Sequence, residues 1–160
     1  MRRRWLWLGV VALLATACDG SGGGAAQPTR TLDIAGYAEH ACTLLTAKQL
    51  DGLGLASFQA TPYVNHCRWT NKQAIFDVIT DPAVNPVEAR AKSPGAAKTE
   101  QIVVDGVSAL KIRESSGMCY IAVATGATQG FTTIGANDDT VDWCDTATRA
   151  ATLIIQNLGH

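Results

Sequence analysis

The residues of this 160-residue chain best suited to chemistry are its five cysteines, and four of them, Cys42, Cys67, Cys119 and Cys144, lie downstream of residue 40. An even count points to disulfides where the compartment is oxidising. Four cysteines allow three pairings. Cys42–Cys67 with Cys119–Cys144 is favoured, because the partners stand 25 positions apart in both cases. Closing such a loop stabilises the fold by roughly 3.5 kcal/mol in the chain-entropy model. The rival is a zinc site. Zinc ligands usually come as close C-x₂₋₄-C pairs, whereas here no Cys or His stands at that spacing from any of the four, and His66 merely adjoins Cys67. Pairing also leaves no thiol in this set as a nucleophile, which would have to be free and near a base.

Other reactive groups are sparse. The histidines are His40, His66 and the terminal His160. His66 adjoins Cys67 in a strand-like stretch and reads as a surface residue rather than a ligand. No H-E-x-x-H is present; Gly106-Val107-Ser108-Ala109-Leu110 lacks the last Gly of a nucleophile elbow, and Gly52-Leu53-Gly54 meets Ser57 where a dinucleotide loop needs Gly. Asn137, Asp138, Asp139, Asp142 and Asp145 form one acidic cluster. It offers oxygens for calcium but lacks the D-x-D-x-D-G loop, so acids dressing a helix N-terminus are the favoured reading. Trp69, Phe76, Tyr120 and Trp143 could line a ligand pocket, although plain core is favoured. No catalytic residue, no cofactor and no metal are expected.

The fifth cysteine has a different setting. Arg2, Arg3 and Arg4 precede an apolar run of 11 residues, Trp5 to Ala15, and Ala15-Thr16-Ala17 ends at Cys18. This is the layout of a secretory signal over residues 1–17. The run is too short to span about 30 Å of hydrocarbon as a helix, which takes roughly 20 residues. Leu14-Ala15-Thr16-Ala17-Cys18 resembles the lipobox of bacterial lipoproteins. That resemblance implies cleavage before Cys18, a diacylglyceryl group on its thiol and acylation of its new amino group. The motif usually has Leu where Ala15 stands, and Ala15-Thr16-Ala17 also fits an ordinary small-residue site cut at the same bond. Two or three acyl chains, at about 0.8 kcal/mol per buried CH₂, make a durable anchor.

Cleavage would leave 143 residues, with ten Lys and Arg against 14 Asp and Glu. A mildly acidic domain has no electrostatic footprint for nucleic acid. Residues 18–30, rich in Gly, Ser and Ala, read as the lipidated Cys and a flexible tether, with a reach of about 20 Å for a dozen residues. Residues 31–160 suit one extracytoplasmic domain.

The elements that must position the cysteines follow from pattern. Thr46-Ala47-Lys48-Gln49 is a capping box, flanked by a Leu45/Leu50 staple, and Gly52 and Gly54 offer a C-cap. Strands are expected from Tyr63 to Thr70 and from Ala74 to Thr80, with a turn at Asn71-Lys72-Gln73. The second strand is apolar on both faces and so belongs inside the sheet. Cys67 and Trp69 share a face, which places Trp69 beside the first disulfide. Asn85-Pro86-Val87-Glu88 starts a second helix, ending before Ser93-Pro94-Gly95. A loop to Glu100 and a meander follow, with strands at Ile102–Val104, Val107–Arg113, Met118–Thr125 and Phe131–Ile134. The last helix, capped by Asp139 or Thr140, buries Trp143, Ala147, Ala150, Ile154 and Leu158 at 3–4 spacing. The expected class is α+β: an antiparallel sheet of about five to six strands packed by helices, with two disulfides.

These features together resemble the actinobacterial lipoproteins grouped as domain of unknown function three-five-five-eight. The resemblance is carried by Ala41-Cys42-Thr43-Leu44-Leu45-Thr46, Cys67-Arg68-Trp69, Val104-Asp105-Gly106-Val107, Cys119 in a strand and Trp143-Cys144 opening the last helix, spanning residues 41 to about 158. It implies an envelope lipoprotein with two disulfides and supplies no catalytic residue. The expectation for function is a non-catalytic, monomeric lipoprotein on the outer face of the cell membrane. It would bind or sense a small apolar ligand or a membrane-protein partner. The alternative is an accessory protein of a cell-wall enzyme or transporter with no ligand pocket.

Overall fold

The computed structural model describes residues 31–92, 98–136 and 140–160. The expected signal, Cys18 and the tether lie outside the described residues, as do Ser93-Pro94-Gly95 and Asn137, Asp138 and Asp139. Seven strands form one sheet: β1 (Gln59–Tyr63), β2 (His66–Thr70), β3 (Ile75–Asp81), β4 (Lys98–Val104), β5 (Val107–Arg113), β6 (Cys119–Ala124) and β7 (Gly130–Ala136). Their order is β1-β2-β3-β7-β6-β5-β4, and every neighbouring pair is antiparallel. The chain builds one edge with β1–β3, crosses to the far edge for β4 and returns by a meander until β7 pairs with β3.

The α+β class stands, but the strand count is seven rather than five to six. The stretch from Tyr63 to Thr70 is broken at Val64-Asn65 into a hairpin, where Asn65 takes φ 51°, a left-handed conformation that Asn tolerates. The extra strand β1 is exposed along its whole length and carries Pro62, which fits an edge strand. With neither face buried it has no alternation to show. Strand β4 begins at Lys98 rather than Ile102 for the same reason: its first four residues are exposed.

Three α-helices and two 3-10 turns, at Ala35–Tyr37 and Ala41–Thr43, complete the fold. Helix α1 (Ala47–Gly52) has both halves of the expected capping box at Thr46 and Gln49. It ends in a Schellman motif. The Leu55 N–H donates to the Leu50 carbonyl and Gly54 to Asp51, at 2.8 and 2.9 Å, and Gly54 supplies the required positive φ of 77°. Helix α2 (Pro86–Ala91) is capped by Asn85, whose side chain accepts from Val87 N and Glu88 N. The cap of α3 (Trp143–Leu158) is neither Asp139 nor Thr140 but Asp142, which accepts from Cys144 N and Asp145 N.

The strands' alternating residues build two cores. One face of the sheet carries Cys67 and Trp69 of β2, Phe76 and Val78 of β3, Phe131 of β7, and Ile121 and Val123 of β6, packed against Ala147, Ala150, Ile154 and Ile155 of α3. The other face packs Leu110, Ile112, Ala122 and Ala124 under Val87 of α2. Each fully buried Ile, Val or Phe contributes about 1.5–3 kcal/mol of transfer free energy. Leu158, expected in the buried stripe of α3, is only partly buried at the helix end. Two glycines set the close approaches. A Cβ on Gly135 would lie 2.5 Å from Trp143 Cε3, and one on Gly130 would lie 2.5 Å from Pro86 Cδ. Those contacts seat α3 and α2 against β7.

Candidate functional site

The four downstream cysteines pair as the spacing favoured. Cys42–Cys67 joins the second 3-10 turn to β2 with a Cα–Cα distance of 4.9 Å, and Cys119–Cys144 joins β6 to the first turn of α3 at 5.2 Å. Trp69 lies in the same buried cluster as Cys67. These sulfurs are structural staples with no thiolate to offer. Among the described residues, no three His, Cys, Asp or Glu side chains stand close enough to hold a metal.

The half of the second face that α2 leaves open holds a cluster the sequence reading missed. Register sets Arg68 of β2 directly opposite Asp77 of β3. The guanidinium grips the carboxylate with both prongs: Nε donates to Oδ1 and Nη2 to Oδ2, each at 2.9 Å. Asp77 is 5% exposed, and its hydrogen bond and charge hold Arg68 more firmly protonated. His66, diagonal to it, brings Nε2 within 3.1 Å of Asp77 Oδ1. That nitrogen is buried and makes no hydrogen bond. The imidazole stacks on Tyr63 of β1, 5.1 Å between centroids. His66 is therefore a partly buried member of an ion-pair cluster rather than a plain surface residue. The signal in the sequence was one acid inside Ile75-Phe76-Asp77-Val78-Ile79. Register, which the sequence does not display, supplies its partners.

The flank of this face is charged as well. Arg90 of α2 lies over the Tyr120 ring at 4.8 Å. Burial pushes the Tyr120 hydroxyl up, with Glu114 adding to it, and the hydroxyl donates to Met118 Sδ. Burial also pushes the Asp81 carboxyl up, and Arg90 offsets part of that. A His–Asp pair can serve general-base chemistry when its base is free toward substrate. Here the Asp charge is already met by a bidentate Arg. The arrangement makes a fixed, neutralised polar surface.

Two clefts formed by described residues each enclose about 170 Å³. The first is lined by Leu53, Leu55, Phe58, Ala74 and Trp143, with Ser57 and Asn71 at its polar side, and Phe58 meets Trp143 edge-on at 6.5 Å. The second is lined by Lys98, Glu100, Lys111 and Arg113, where Lys111 pairs with Glu100 at 2.6 Å and Arg113 with Asp142 at 3.3 Å. The Lys111 hydrogen bond holds Glu100 below the usual carboxylate range. Of the acidic cluster, Asp142 is the α3 cap and Asp145 pairs with Arg149 one turn on, at 3.7 Å. Backbone N–H donors from Asp145 and Cys144, aided by Arg113, hold the Asp142 carboxyl low. Trp69, Phe76 and Trp143 are core residues, and Tyr120 is half-buried on the opposite face.

A seven-stranded antiparallel sheet stapled at both ends by disulfides, with its reactive side chains tied into ion pairs, defines a cross-linked α+β domain. The chain belongs to the family described as protein of unknown function (DUF3558), whose model matches residues 13–157. No curated protein and no solved structure matches it. Among the described residues, no helix is long and apolar enough to cross a membrane.

Proposed function

We propose that the protein is an exported, non-catalytic lipoprotein, anchored through Cys18 to the outer face of the cell membrane, that works by surface contact with a macromolecular partner there. The accessory reading is thus preferred to carriage of a small ligand. The observation that carries it is the packing of the described residues. Phe76, Phe131, Ile34, Leu44, Ile121, Ile154 and Ile155 are each below 2% exposed. Two of the clefts among the described residues, of about 170 Å³ each, are smaller than the roughly 300–1,000 Å³ of small-molecule sites. The polar surface around Arg68, Asp77, His66 and Tyr63 is preorganised, as a docking surface needs to be. The anchor itself rests on the sequence: a basic, apolar, small-residue signal ending at Cys18, and one cysteine left over once two disulfides have formed.

Native mass spectrometry of the protein extracted gently from its own membranes tests the choice. The expected spectrum holds the acylated chain with no small molecule at stoichiometric occupancy. A co-purified lipid or other small ligand in one-to-one ratio, beyond the covalent acyl groups, overturns the surface-contact reading.

A further inference from the structure

We propose that the end of the sheet at which the chain enters the fold lies against the lipid bilayer, touching it with the tip of the β1–β2 hairpin and the loop after β3. This rests on the anchoring at Cys18 proposed above. Register gathers four connections at one end. Tyr63 pairs with His66, His66 with Ile79, Asp81 with Gly130, and Gly130 with Ala124. The β1–β2 turn, the exit of β3 and the β6–β7 turn therefore sit side by side, and the β4–β5 turn lies beyond them. The first described residues are pinned at the same end: Leu32 N donates to Thr125 O at 2.9 Å, and Gln129 Nε2 to Leu32 O at 3.4 Å. Residue 31 follows Cys18 by 13 positions in the sequence. A chain anchored at Cys18 therefore enters the fold at this end.

The apolar surface is distributed accordingly. Five large apolar side chains stand exposed on described residues, and four belong to this end: Tyr63 at 50%, Val64 at 83%, Val84 at 51% and Val103 at 70%. Only Val141, before α3, lies at the other. Tyr63, Val64 and Val84 fall on neighbouring connections, whereas Val103 is on the far edge strand. Val64 is presented rigidly. Thr80 N donates to Asn65 O at 2.8 Å, Thr80 Oγ1 to the same oxygen at 3.1 Å, and Asn65 Nδ2 to Thr80 O at 3.2 Å. The turns of this end, residues 64–65, 82–85, 105–106 and 125–129, contain no Lys or Arg, while Lys72, Lys98 and Arg113 mark the opposite end. Attraction to anionic headgroups needs clustered cations, so this contact is apolar. The side chains of Val64 and Val84 would insert at the boundary of headgroups and acyl chains.

The test anchors the chain chemically, so that it does not depend on whether cells acylate Cys18. The mature chain from Cys18, which contains every described residue, is coupled through its one unpaired thiol to maleimide phosphatidylethanolamine in phosphatidylcholine vesicles. Emission of an added Trp is then followed with brominated phosphatidylcholine as quencher, after subtracting the unsubstituted protein. Val64→Trp is expected to show blue-shifted emission that the brominated lipid quenches, and Lys72→Trp, at the opposite end, to show neither. Val84→Trp should behave as Val64→Trp, and it decides the matter if the Val64 variant misfolds. Equal quenching at the two ends, or quenching at Lys72→Trp alone, overturns the proposal. Failure of native lipidation would appear separately, as an intact mass without acyl groups.

Discussion

At the residue scale, the charged groups sit in surroundings that push them in opposite directions. Asp77 and Arg68 form a bidentate pair with the carboxylate 5% exposed. Removing one partner strands the other, while removing both removes the problem. A double-mutant cycle with Asp77→Ala and Arg68→Ala should give a coupling energy of about 1–2 kcal/mol, read from urea titrations. Strict additivity would show that the pair does not act as a unit. Asp81 has the opposite character. Burial raises its carboxyl above the usual value, so the folded state holds its proton more tightly than the unfolded chain, whose value is about 3.9. Its favourable contribution is complete below that value and is lost as pH rises through the folded value. Asp81→Asn should therefore raise Tm at pH 7, and the gain should vanish near pH 3. An equal gain at both pH values would refute the cause assigned. Asp142 runs the other way: its lowered carboxyl stabilises the fold above about 3.9 and loses that as pH falls through the folded value.

At the element scale, local signals and long-range ones differed in legibility. Thr46 with Gln49, and Asn85 with Pro86, announced α1 and α2, because a cap is a contact between residues two or three apart. The α3 cap was misplaced by two or three residues, since Asp139, Thr140 and Asp142 can all serve and packing chooses among them. Trp143 must reach the sheet over Gly135, and that makes Asp142 the residue before the first turn. Edge strands were the blind spot: Gln59–Tyr63 and Lys98–Gln101 bury almost nothing and so carry no period of two. The ion-pair cluster stayed hidden for a related reason. Arg68 and Asp77 meet by register across a hairpin, and nothing in either strand alone announces the partner. Gly135 gives this scale its prediction. A methyl there would sit 2.5 Å from Trp143 Cε3 and 2.9 Å from Cδ2, so the indole or α3 must move. Gly135→Ala should cost about 1–3 kcal/mol, the usual range for overpacking. Gly36→Ala, whose added Cβ meets nothing within 4 Å, should cost far less. Similar losses would mean that the approach of α3 to β7 is not tight.

At the scale of the whole molecule, the two disulfides tie a 3-10 turn and α3 to opposite parts of one sheet. Their pairing was readable from equal spacing, whereas the crossover that sends β4 to the far edge and returns β7 to β3 was not, because no local feature marks a crossover. The pairing leaves Cys18 unmatched, at the end of a sequence built like an export signal. The proposed anchoring, and with it the proposed orientation of the apolar end toward the membrane, depends on that residue. The most direct measurement is metabolic labelling with an alkyne fatty acid in cells making the full chain, wild type against Cys18→Ala, followed by separation of membranes from medium. Label on the wild-type protein in the membrane fraction, with an unlabelled variant that is released or retained as an uncut precursor, is the predicted result. Equal labelling of the two, or an unlabelled wild-type protein free in the medium, would contradict it.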